Sequence, residues 1–184
     1  SVEEKLTREA ERLLKRIEEV IRRLRDANRR SADRIRRIDE KTRREVEKLK
    51  KKIRELAKRV KDEEVLRRIE KLLRDLKREV EEVSRRNEEI LRESNKRLRE
   101  VEEKLREILR RLKERLDRVR EKGIREDLVE KVIKTMRKIV EDLERDVRKV
   151  IRDDEELVER LRRENEEVIK KLREIVKRLE DETR

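Results

Sequence analysis

Apolar residues recur along the first third of the chain in a fixed rhythm. They fall on Leu6, Ala10, Leu13, Ile17, Val20 and Leu24, and the column continues through Asn28, Ser31, Ile35, Ile38, Thr42, Val46, Leu49, Ile53, Leu56 and Val60. The steps run 4, 3, 4, 3, 4 and repeat, so each unit takes 18 residues. Five turns of an α-helix take about that many at 3.6 residues per turn. A seven-residue repeat would wind helices around one another left-handed, whereas this period keeps one face of a nearly straight helix inward. The polar run from Asp26 to Asp33 has the composition of a loop, yet a loop would reset the phase. The column passes through it in step, which predicts continuous helix.

The same bookkeeping finds two more columns. One runs from Ile69 through Leu76, Val83, Asn87, Ile90, Ser94, Leu98, Leu105 and Leu112 to Val119; the other runs from Val132 through Met136, Ile139, Val147, Asp154, Leu161, Asn165, Leu172 and Ile175 to Leu179. Phase breaks only around Lys61-Asp62 and across Lys122-Gly123-Ile124-Arg125-Glu126-Asp127. These breaks set three helices, at about 2–60, 63–122 and 128–182.

End signals agree with the breaks. Ser1 with Glu4 forms a capping box, in which each side chain satisfies a free backbone N–H, and Asp62 can cap the second helix. Gly123 can take the left-handed conformation that closes a helix, with Ile124 making the accompanying apolar contact, and Asp127 with Glu130 reads as a further capping box. Short connections make consecutive helices antiparallel neighbours. The expected fold is therefore all-α: an up-down-up antiparallel three-helix bundle, 1–184 as a single domain, with helices about 80 to 90 Å long at 1.5 Å per residue.

Folding the chain at the two turns sets residue i of the first helix level with about 123 minus i on the second and about 126 plus i on the third. The polar interruptions of the columns then line up. Asn28 and Ser31 fall level with Ser94, Asn95 and Asp154. Thr42, with Asp39 on the column edge, falls level with Ser84, Asn87 and Asn165. A buried amide or hydroxyl left without a partner costs about 1–3 kcal/mol, so aligned polar groups point to mutual satisfaction. Such layers add little net stability but penalise registers that strand their members. A ligand or metal site is the alternative. Asp39 and Asp154 are the only carboxylates in these layers and belong to different ones, while hard cations want several oxygens.

One residue after the main seam lies an edge column. On the third helix it is apolar throughout, at Ile133, Val140, Ile151, Val158, Ile169 and Val176. Two readings follow: this helix nestles between the other two, or part of its stripe accepts another chain, so that self-association is possible. The first is favoured because wide apolar stripes are rarely left exposed on soluble monomers.

Composition narrows the function. The chain has 184 residues, no His, Cys, Pro or aromatic residue, and one Gly. Thiolate and histidine chemistry, the usual zinc sites and Gly-rich phosphate loops are thereby excluded. No catalytic or cofactor-binding residue, no metal ligand and no cofactor is indicated. No apolar run approaches the roughly 18 residues of a membrane span, and the expectation is a soluble protein, cytoplasmic on recombinant expression. The net charge is +13, with 24 basic against 13 acidic residues in positions 1–61. That excess on the first helix could hold a polyanion by charge alone. Specific nucleic-acid recognition is not indicated, since stacking aromatics and a recognition motif are missing.

The strict 18-residue period, the aligned polar layers Asn28/Ser31/Ser94/Asp154 and Thr42/Ser84/Asn87/Asn165, the Arg/Glu/Lys surface and the lack of aromatics and Pro together resemble computationally designed helical bundles with buried hydrogen-bond networks. Over the whole chain, this resemblance implies a heat-stable, non-enzymatic scaffold that requires no partner.

Overall fold

The computed structural model describes residues 1–123 and 125–184. The protein is an all-α three-helix bundle of α1 (Val2–Arg59), α2 (Glu63–Lys122) and α3 (Glu126–Glu182). Helix α1 runs without a break through the polar Asp26–Asp33 segment. All three helices have acidic residues in their first turn, and α1 and α2 have basic residues in their last, matching the partial charges of the helix ends.

The caps follow local chemistry. The Glu4 N–H donates to Ser1 Oγ at 3.3 Å, and the Glu4 carboxylate lies 3.5 Å from the amino terminus. At α2 the Glu64 N–H donates to Asp62 Oδ1 at 2.9 Å. Gly123 has φ +73° and is the only described residue with positive φ. The start of α3 departs from expectation. Its first bonds run from the Leu128 and Val129 N–H groups to the Arg125 carbonyl, so Arg125 occupies the cap position and Asp127 lies inside the first turn. There an acidic residue is favoured by the positive end of the helix dipole. The expected Ile124 contact lies outside the described residues.

Contacts divide the chain into two compact units, each holding a stretch of all three helices. The first comprises Ser1–Arg30 with Ser94–Glu155. Its core is built from Leu6, Leu13, Ile17 and Leu24 of α1, Leu98, Leu105 and Leu116 of α2, and Val129, Met136, Val140 and Val147 of α3. Each fully buried Leu or Ile contributes about 1.5–3 kcal/mol relative to exposure. Ion pairs between helices flank this core: Arg25 with Glu102 at 2.6 Å, Arg137 with Glu9 at 3.2 Å, and Arg16 with Glu144.

The second unit comprises Ser31–Glu93 with Glu156–Arg184. It holds two apolar clusters. Ile35, Ile90, Val158 and Leu161 form one, and Val46, Ile53, Ile69, Leu76, Leu172, Val176 and Leu179 belong to the other. Arg86 grips Glu164 with two bonds, at 2.7 and 3.2 Å, and Arg173 reaches Glu45 at 2.7 Å. Because the Arg173 guanidinium donates to it, Glu45 is held below the ordinary glutamate range; Arg86 does the same to Glu164.

The inward face of α3 differs from the main column read in the sequence. Met136, Val147, Asp154, Leu161, Asn165, Leu172 and Leu179 are buried, but Val132, Ile139, Leu143, Val150, Leu157 and Val168 are only half-buried and Ile175 is 40% exposed. The edge residues Ile133, Val140, Val158, Ile169 and Val176 are buried in their place. Since α3 contacts two helices, its contact face must span both columns, and its centre is rotated toward the second. A smaller rotation affects α1, where Ala27 is buried and Asn28 half-buried.

Candidate functional site

The candidate site is the set of buried polar side chains. Ser31, Thr42, Ser84, Asn87, Ser94, Asp154 and Asn165 are all buried among the described residues. Asn28 is half-buried.

The best-developed network lies in the second unit. Asp39, on α1, supplies a carboxylate that can only accept. Its Oδ1 receives Ser84 Oγ and Asn87 Nδ2, each at 2.9 Å, and its Oδ2 receives Arg43 Nε at 3.0 Å. This acceptor forces the Asn87 amide to turn its NH2 group toward α1. The second Asn87 hydrogen then reaches Asn165 Oδ1 at 3.0 Å, while Asn165 Nδ2 returns a bond to Asn87 Oδ1 at 2.9 Å. The remaining Asn165 hydrogen goes to the Leu161 carbonyl at 2.8 Å, one turn back on α3. Thr42 Oγ1 completes the set, 2.8 Å from Asn165 Oδ1 and 3.0 Å from the Ile38 carbonyl. Asn165 thus uses both hydrogens and both acceptor sites of its amide.

Helical geometry places these groups. Asp39 sits one residue after Ile38 of the α1 column, so it points toward the α1–α2 edge, where Ser84 and Asn87 approach. Arg43 lies one turn further along and holds the outer carboxylate oxygen from the solvent side. Thr42, Ser84, Asn87 and Asn165 are buried, and in such surroundings hydrogen bonds gain electrostatically and unmet polar atoms are costly. Among the described residues no buried side-chain nitrogen or oxygen lacks a partner.

The other polar set belongs to the first unit. Asn28 Nδ2 donates to Asn95 Oδ1 at 2.9 Å, and Ser94 Oγ donates to the buried Asp154 carboxylate. Asn28 therefore pairs at the bundle rim with a residue outside the main column. Ser31 is buried on α1 and falls in the second unit.

Three participants carried weaker sequence signals. Asp39 occupies an edge position, Asn95 follows the column residue Ser94, and Arg43 is recognisable only by its four-residue spacing from Asp39. The Ile38 and Leu161 carbonyls could not be singled out, since every helical residue carries one.

No family model, curated protein or solved structure matches this chain.

The networks tie the helices to one another by hydrogen bonds. Their carboxylates are separated into different sets, and among the described residues no three or more His, Cys, Asp or Glu side chains gather as a metal site. No described helix is long and apolar enough to cross a membrane.

Proposed function

We propose that the chain is a computationally designed, non-enzymatic scaffold whose polar networks specify the register and topology of its helices. The observation that carries this reading is the Asn165 amide. Its bonds to Asn87, Thr42 and Leu161 draw on α2, α1 and α3, and a shift of any helix by one turn would strand several polar groups. The 18-residue pattern and the chemically spare composition support the same reading. A scaffold of this kind needs no cofactor and no partner, and resists heat because its apolar columns are filled.

The test replaces Asn87 and Asn165 together with Leu, so that neither half of the amide pair is left without its partner. Stability to guanidinium should hold or rise, while light scattering should resolve species besides the 23.0 kDa chain, because apolar layers accept alternative registers and partners. A large loss of stability, with mass and inter-helix cross-links unchanged, would count against a specifying role.

A second reading, non-specific polyanion binding by α1, draws on its excess of basic residues. It requires binding to DNA that is indifferent to sequence and lost in moderate salt.

A further inference from the structure

The first unit has an open groove between the last turns of α2 and the first turns of α3. Its floor is apolar: Ile108, Leu112 and Val119 from α2 face Val132, Met136 and Ile139 from α3. A cavity of about 250 Å³ lies over the middle of this floor, and Leu128, 39% exposed, continues it toward Gly123. The groove exists because α3 is rotated. Turning Ile133 and Val140 into the core leaves Val132 and Ile139 on the flank beside α2, only half-covered.

The rim is basic. Arg115, Arg118, Lys122 and Lys131 line the groove, and among the described residues none of the four makes a side-chain hydrogen bond or ion pair. Nearby Arg111 is engaged by Glu107 at 3.1 Å, and the acidic Glu114 lies 4.0 Å from Arg110. An apolar floor with uncompensated cations along its edge asks for an occupant with an apolar stripe and acidic borders.

We infer that this groove is a docking site for an amphipathic helix with acidic flanks. From Ile108 to Lys122 the floor runs about 21 Å at 1.5 Å per residue, which accommodates roughly four turns of helix. A stripe with 3- and 4-residue spacing would set its apolar residues between those of α2 and α3, while Glu on either side meets the Arg and Lys rim. A second copy of the chain fits poorly, because a two-fold contact through this surface would bring the same cations face to face. A nucleic acid would satisfy the rim but leave the floor unfilled. The inference is independent of the polar networks.

The experiment uses the full chain and a fluorescent synthetic peptide of about 18 residues with a Leu stripe and Glu flanks, long enough for five helical turns. A companion peptide keeps the stripe and exchanges every Glu for Lys. Fluorescence anisotropy should show saturable binding of the Glu peptide, at least about tenfold tighter than the Lys peptide in low salt. The exposed double variant Arg115→Glu/Arg118→Glu should invert that preference, and Val132→Asp on the floor should abolish binding of both, with helicity checked by circular dichroism. The inference is overturned if the Glu peptide does not saturate, if both peptides bind alike, or if the preference survives charge reversal. It is also overturned if the chain alone scatters as a dimer that Val132→Asp dissociates, or if a DNA oligonucleotide binds the groove as tightly as the Glu peptide.

Discussion

Asn87 of α2 and Asn165 of α3 face each other through reciprocal amide hydrogen bonds of 3.0 and 2.9 Å. Each amide is also held from a second side, Asn87 by Asp39 and Asn165 by Thr42 and Leu161. The pair behaves as one unit, and its energetic weight lies in what is stranded when half of it is removed.

Replacing Asn165 alone with Leu leaves Asn87 Oδ1 and one Asn87 hydrogen buried without partners. The expected loss is about 1–3 kcal/mol in guanidinium unfolding. With Asn87 also changed to Leu, Asp39 retains Ser84 and Arg43, and Thr42 retains the Ile38 carbonyl. The double variant should therefore be less destabilised than the sum of the singles. A strictly additive double-mutant cycle would show that the amides do not act together.

The rotation of α3 can be checked by truncating neighbours. Val140 is fully buried and Ile139 half-buried. Val140→Ala should cost about 1–3 kcal/mol, through lost burial and the cavity left behind. Ile139→Ala removes more atoms yet should cost less, because solvent already reaches them. The reverse order in denaturant midpoints would place the main column, and not the edge column, at the centre of the α3 contact.

Gly123 holds the left-handed conformation at the end of α2, and an added Cβ would meet nothing within 4 Å. The cost of Gly123→Ala is then conformational, about 1–2 kcal/mol. Asn tolerates this region better, so Gly123→Asn should cost less than Gly123→Ala. Equal midpoints for parent and alanine variant would mean that the turn relaxes to another geometry.

Acid should weaken the ion-paired surface in a defined direction. Glu45 and Glu164 are held below the ordinary value of 4.5 by hydrogen bonds from Arg173 and Arg86. A carboxylate whose folded value is depressed contributes stability that is fully present above its unfolded value and lost as pH falls through the folded one. Urea midpoints should thus fall below pH of about 4.5. Arg86→Gln should flatten that fall, and added salt should do the same by screening these exposed pairs. Urea is the denaturant of choice here because guanidinium is itself a salt.

Much of the fold was legible because helix phase is a local property. Gly123 and Asp62 marked their ends through residue-specific backbone preferences, while α3 began at Glu126, before the position that the Asp127 side chain suggested. The sequence register also agrees with tertiary pairs. Asn28 meets Asn95 and Asp39 meets Ser84, both on the line of 123 minus i, while the α1–α3 pairs scatter about 126 plus i, Glu9–Arg137 and Glu45–Arg173 being 128 residues apart and Thr42–Asn165 being 123. The roles of Asp39 and Arg43 were fainter, since an edge position becomes a network position only when another helix delivers a donor to it.

By itself the amino-acid sequence determined three helices, their direction and the heights at which polar groups interrupt the apolar columns. These depend on a period of 3.6 residues and on short connections, and both can be read along one chain. The tertiary structure decided how far each helix is rotated about its own axis. That rotation buries Val140 and leaves Ile139 half-covered, puts Ala27 inward in place of Asn28, and opens the floor at Val132. A helix packed against two neighbours settles where all three faces fill space together, and a single column cannot reveal that balance.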